Sequence, residues 1–96
     1  MLPNNCPPTH PGETLLEDFL KPLGMTQLAL AEKTGMPIQR INTLINGKRG
    51  MSAETAILLS KVLGTEPDFW MALQAQLDLW HAQKALNAEK KKIAHA

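Results

Sequence analysis

The chain has 96 residues, 44% of them hydrophobic, with one cysteine and a formal net charge of +1. That length holds a single domain with a thin stability margin, and the lone Cys6 excludes an internal disulfide, so the fold does not call for an oxidising compartment. No apolar run approaches the roughly 20 residues of a membrane span, and the first nine residues hold three prolines and no basic residue, unlike a secretory signal; a cytoplasmic location and no membrane partner are the expectation.

There is no Tyr, and Phe19, Phe69, Trp70 and Trp80 are the aromatic residues. The core must come mostly from Leu, Ile, Ala and Met, which suit helices better than strands. The charge is unevenly placed. Residues 1–32 carry one Lys against four acids, a net −3, and residues 62–89 repeat that balance. Residues 33–61 carry five basic residues against Glu54, a net +4, and Lys90, Lys91 and Lys92 add +3. A basic middle between acidic flanks predicts one positive face on a nearly neutral protein.

Residues 1–9 read as a flexible or extended arm. A first helix is predicted from Pro11, with Leu15, Leu16, Phe19 and Leu20 as its apolar stripe, ending at Lys21 because Pro22 disfavours helix there. Thr26 opens a second helix as N-cap; Leu28 and Ala31 face inward, with Leu30 a further candidate, and Gly35 ends it. A third starts with Pro37 in its first turn, its Ile38, Ile41, Leu44 and Ile45 recurring at three and four, and stops at Asn46-Gly47. Ser52 caps a fourth, whose apolar face is Ala56, Leu59, Val62 and Leu63. Thr65 and Pro67 open a fifth, with Trp70, Leu73, Leu77 and Trp80 on one side. Residues 83–96 read as a polar, Lys-rich, partly frayed helical tail. The domain proper is thus residues 10–82, an all-α, compact five-helix bundle.

Residues 27–46, QLALAEKTGMPIQRINTLIN, carry the strongest signal. Two helices crossing over a tight turn need a small residue where they touch, and Ala31 supplies it. The turn needs a residue tolerant of positive φ, and Gly35 sits there. Burying Ile41 and Leu44 leaves Gln39, Arg40, Asn42 and Thr43 to point elsewhere. This pattern resembles the helix-turn-helix of the Cro/C1-type (Xre) regulators, a lambda-repressor-like DNA-binding domain. The resemblance implies that the second helix of the pair enters the major groove with its N-terminal part nearest the bases.

The outward side chains suit that task. Gln39 and Asn42 offer a donor and an acceptor together, as adenine requires, and Thr43 can meet a thymine methyl. Pro37 and Ile38 stand at the groove-facing start, although Ile38 reads equally well as core. Arg40 can reach a guanine or a phosphate, and both stay open. Gln27, Lys48, Arg49 and Ser52 are candidates for backbone phosphate.

Three further stretches, HPGETLLEDFLKPLGMTQ at residues 10–27, the Gly47-Lys48-Arg49-Gly50 loop with Ser52-Ala53-Glu54-Thr55-Ala56, and Pro67-Asp68-Phe69-Trp70 followed by Leu73-Gln74, are similar to HigA-type (VapI-like) antitoxins. The similarity covers about residues 9–80. It implies an antitoxin and autorepressor that binds palindromic operator DNA as a homodimer and neutralises a HigB-type mRNA-cleaving toxin. Leu77 and Trp80 carry more apolar surface than a short domain covers and are the expected dimer contacts, with Phe69, Trp70 and Leu73 mostly core. A symmetric dimer would set two recognition helices about 34 Å apart.

An enzyme is not expected. His10, His81 and His95 have no ligand spacing to one another or to Cys6, Glu17 and Asp18 are adjacent on a helix and point apart, and no Gly-rich phosphate loop is present. No cofactor, metal or small-molecule ligand is expected; His10 is expected to order the chain before the first helix. Two alternatives remain at this stage: a stand-alone Xre-family repressor, phage-type or metabolic, and an interaction adaptor that has lost DNA binding.

Overall fold

The computed structural model describes residues 6–95, and the side chains up to Glu89. The expectations for residues 1–5 and for the side chains of Lys90, Lys91 and Lys92 lie outside the described residues.

The first helix, α1, spans residues 11–23 in three joined parts. It begins as α-helix over Pro11–Thr14, widens to π-helix over Leu15–Leu20 and closes as α-helix over Lys21–Leu23. The His10 imidazole caps it, its Nδ1 accepting from the Gly12 N–H at 2.9 Å, as expected for a residue that orders the entry. The π segment pairs residues five apart, and Leu15 and Leu20, five apart, are both buried. This widening corrects the expected stop at Lys21. In an α-turn the Pro22 ring would meet the carbonyl of Asp18; pairing at five relieves that demand, and the helix runs on to Gly24 at φ 63°.

Helix α2, Gln27–Thr34, starts where the Thr26 hydroxyl accepts from the Ala29 N–H at 3.0 Å and ends at Gly35, φ 78°. Its buried seam is Gln27, Leu30, Ala31 and Thr34, half-buried at both ends. Leu28, expected inside, is 56% exposed. The seam includes two polar residues, so the apolar pattern pointed one position wrong.

Helix α3, Ile38–Ile45, buries Ile41 and Leu44 completely. Helix α4, Ala53–Leu63, is capped by the Ser52 hydroxyl, which accepts from the Thr55 N–H, and buries Thr55, Ala56, Leu59 and Ser60. Helix α5 runs from Pro67 to His95. Thr65 does not cap it as expected. Its hydroxyl instead accepts the Trp70 indole N–H at 2.8 Å and donates to Ser60 Oγ, which donates to the Ala56 carbonyl. Every donor in this chain is satisfied, which is what lets a fully buried Trp70 sit at the centre of the core.

α1 packs on α3 and α5, α2 on α3 and α4, and α4 on α5. Leu15, Leu20, Leu30, Met36, Ile41, Leu44, Met51, Leu59 and Trp70 fill the interior. Phe19 and Phe69 flank Trp70 with ring centroids 5.2 and 5.0 Å from it. Among the glycines the tightest approach is at Gly12, where an added Cβ would fall 1.8 Å from the Leu44 carbonyl oxygen. α1 and α3 therefore touch backbone to backbone, and this fixes where α3 lies. Past Trp80, every side chain of α5 from His81 to Glu89 is exposed among the described residues. Among the described residues there is no strand, and no helix is long and apolar enough to cross a membrane.

Candidate nucleic-acid interface

With Ile41 and Leu44 facing the core, the opposite side of α3 presents Gln39, Asn42 and Asn46, all exposed. Pro37 and Ile38 are exposed at its N-terminus, Ile38 at 46%, so Ile38 belongs to the outer surface and not to the core. Thr43 is half-buried. Its hydroxyl donates to the carbonyls of Gln39 and Arg40, at 2.9 and 3.1 Å, and its methyl is left as the group to offer a thymine.

Arg40 has a partner that the sequence did not suggest. Its guanidinium lies 4.0 Å from Glu54 at the start of α4, with the Arg40 side chain 29% exposed and the Glu54 side chain 73% exposed. An ion pair this long and this wet contributes little, so Arg40 is tethered loosely and can exchange Glu54 for an outside acceptor.

Gln27, the first residue of α2, joins the two motif helices. Its Oε1 accepts from Asn42 Nδ2 at 3.3 Å, and Asn42 Oδ1 accepts from Asn46 Nδ2 at 3.2 Å. Three side-chain amides thus form one run across the outer face. Asn46 was missing from the sequence-derived set, because it read only as a helix stop.

The basic loop is pinned at both ends. The Lys48 N–H donates to the Thr43 carbonyl at 2.9 Å, and the Met51 N–H donates to Gln74 Oε1 at 2.7 Å. Gln74 in turn donates to Asp78 at 2.8 Å, and a Cβ at Gly50 would press on Gln74 at 3.1 Å. Lys48 and Arg49 between these anchors are exposed. Gln74 was legible only as part of a resemblance; nothing in its local sequence announces a partner 23 residues away. Ser52 is exposed, and its hydroxyl is engaged with Thr55 twice, accepting from the N–H and donating to Oγ1 at 3.0 Å. Its hydroxyl is thus occupied, and the N–H groups of the helix start that it caps are the donors that end of α4 could offer an anion.

His10 connects the loop to α1. Burial lowers the pKa of its imidazole, while the nearby Glu13 carboxylate and a backbone hydrogen bond to Arg49 pull it back up. Because Nδ1 is an acceptor to Gly12, the neutral ring is the form that caps the helix.

The expected dimer residues lie apart from this face, on α5. Leu77 is 7% exposed within the single chain, and Trp80 is half-buried with Lys84 Nζ 4.6 Å above its ring. Leu79 and Leu86 on the same helix are 70% and 56% exposed. Among the described residues no group of three or more His, Cys, Asp or Glu converges as a metal site.

Comparison with known proteins agrees with this architecture. Residues 16–70, more than half of the chain, match the helix-turn-helix family. Antitoxin HigA-1 of Vibrio cholerae is 39% identical over 84 residues, covering 88% of this chain and 79% of its own. Virulence-associated protein I of Dichelobacter nodosus is 37% identical over 81 residues, covering 84% and 75%. The solved structure of Pseudomonas aeruginosa antitoxin HigA with higBA promoter superimposes with a TM-score of 0.77 at 35% identity, covering 92% of each chain. The chain belongs to the helix-turn-helix family of Xre-type regulators, alongside the proteins named HigA antitoxin and virulence-associated protein I.

Proposed function

We propose that this protein is an antitoxin and transcriptional autorepressor that binds palindromic operator DNA as a homodimer and neutralises a HigB-type mRNA-cleaving toxin. The observation that carries the reading is the outer face of α3: exposed, uncharged amides at Gln39 and Asn42, with Asn46 bonded to Asn42 beside them, backed by a fully buried Ile41 and Leu44. Amides are suited to base edges, which need a donor and an acceptor side by side. Lys48, Arg49, the α4 start at Ser52 and Gln27 flank that face and would take phosphates, positioning the helix without reading sequence. Pro37, Ile38, Gln39, Arg40, Asn42 and Thr43 would meet the bases.

For assembly, the outward stripe of α5 supports a second copy. Gln76, Leu79, Trp80, Gln83 and Leu86 fall at spacings of three, four and seven along one side, and Leu79 and Leu86 are exposed. Leu77, expected as a dimer contact, is instead buried within the single chain, so of the two expected residues Trp80 alone lies on this stripe. The toxin reading draws its support from relatives that carry the antitoxin name.

The test is fluorescence anisotropy with a labelled duplex from upstream of the protein's own gene. Binding that is two-fold symmetric in its footprint, and that falls about 5- to 150-fold in Asn42→Ala, supports the reading. A protein that binds no such duplex overturns it in favour of an adaptor. For the toxin, co-expression with the product of the neighbouring gene should abolish that product's mRNA cleavage; a gene neighbour without nuclease activity leaves a stand-alone repressor.

A further inference from the structure

The amide run across the outer face of α3 has a direction. Asn46 donates to Asn42, and Asn42 donates to Gln27. Each primary amide carries two N–H donors and two acceptor lone pairs. Asn42 therefore has one N–H and one lone pair engaged within the protein and one of each left over. That remainder is the donor–acceptor pair that adenine N7 and N6 call for. Turning Asn42 alone would set its oxygen against the Gln27 oxygen and its N–H groups against those of Asn46, losing both bonds together. Gln27 accepts with its oxygen, and its own N–H groups donate to no acceptor among the described residues, so they are available to an anion outside.

From this we propose that Asn46 and Gln27 are positioning residues that hold the Asn42 amide in one orientation, making Asn42 an adenine reader and Gln27 a phosphate donor. The proposal rests on the DNA-binding reading above. Asn46 acts from the C-terminal end of α3 through Asn42, and touches no base itself. Its backbone, at φ −81° and ψ 4°, is one that alanine also adopts, so the side chain can be removed without strain.

The experiment is a specificity profile of the full chain on duplexes from upstream of its own gene, each altered at one base pair. The Asn42→Ala profile first identifies the base pair that Asn42 reads, as the position whose penalty disappears. Asn46→Ala should lower the penalty at that same base pair by at least about three-fold, out of the 5- to 150-fold that a two-bond amide contact gives. It should leave the other penalties, the salt slope and the melting temperature as in the parent. Gln27→Glu keeps the acceptor for Asn42 but has no N–H, so it should weaken binding to every duplex alike and keep the Asn42 penalty. An Asn46→Ala profile identical to the parent, or one that loses a different base pair, overturns the positioning role. Loss of the Asn42 penalty in Gln27→Glu overturns the direction of the run. Parent protein that binds with a flat profile sinks this inference alone, whereas parent protein that binds no duplex sinks the DNA reading as well.

Discussion

Helix α3 has eight residues and hides two of them completely; α5 has 29 and leaves every side chain from His81 to Glu89 exposed. α3 is held from three sides. α1 meets it backbone to backbone at Gly12, α2 reaches across it through Gln27, and the loop after it is anchored to Gln74. α5 is held in its first half, by Trp70, Gln74 and Leu77. A surface that reads base edges must hold its donors and acceptors to fractions of an ångström, and such precision comes from packing behind the helix. A surface that meets another protein needs uncovered apolar area, and the free end of α5 has it at Leu79 and Leu86. The same fold places its closely packed element and its most exposed element on different helices.

The largest effect that would break this contrast comes from Gly12→Ala. Its Cβ would fall on the Leu44 carbonyl, so α1 must lift from α3 at a cost of about 3 kcal/mol or more. In thermal unfolding that corresponds to a fall in Tm of roughly 12 °C or beyond. A variant that melts within about 3 °C of the parent would show that α3 is not set by this approach. Thr65→Val is next. It leaves the buried Trp70 N–H without an acceptor, for about 1–3 kcal/mol by urea denaturation. An unchanged midpoint would mean that the Ser60–Thr65–Trp70 chain does not support the core.

Arg40→Ala and Lys48→Ala sharpen the DNA side of the contrast. If Arg40 reads a base, its removal costs about 1–3 kcal/mol on the operator and flattens preference at one base pair; a loss equal on all duplexes assigns it to phosphate. Lys48→Ala should weaken all duplexes alike and lower the salt slope by about one, and a sequence-selective loss would contradict the phosphate role.

The smallest effect is with pH. Burial lowers the folded-state pKa of His10 below its ordinary 6.5. Below that value the unfolded chain binds the proton more readily than the folded chain, so stability is full above pH 6.5 and declines as pH falls toward the folded-state value. Urea midpoints from pH 8 to pH 5 should show this decline, and His10→Asn, a cap that does not titrate, should reduce it. A midpoint that rises on acidification would reverse the sign.

What the sequence made legible was local. Ala31, Gly35, Thr26, Ser52, Ile41 and Leu44 all took their expected places, because each answers to neighbours within a turn or two. What it hid depends on distant partners. Gly12 matters only because Leu44 arrives 32 residues later, and Gln74 because Met51 does. The end of α1 was misread because a π turn has no composition signal of its own, and Pro22 suggested a stop that widening makes unnecessary. Leu28 was misread because its helix buries a seam that includes Gln27 and Thr34, polar residues that a hydrophobic pattern cannot count. At the candidate site the residue types were legible, whereas their couplings were not. Neither Arg40 against Glu54 nor the Asn46–Asn42–Gln27 run follows from spacing alone.

The central claim, that the outer face of α3 meets duplex DNA, is tested most directly by an NMR titration of the isotope-labelled full chain with a duplex from its own upstream region. The account predicts the largest shifts at the side-chain amides of Gln39, Asn42 and Asn46 and at the backbone of Lys48 and Arg49, with His81–Glu89 unmoved. Shifts concentrated on α5, with the amides of α3 unchanged at saturation, would contradict it.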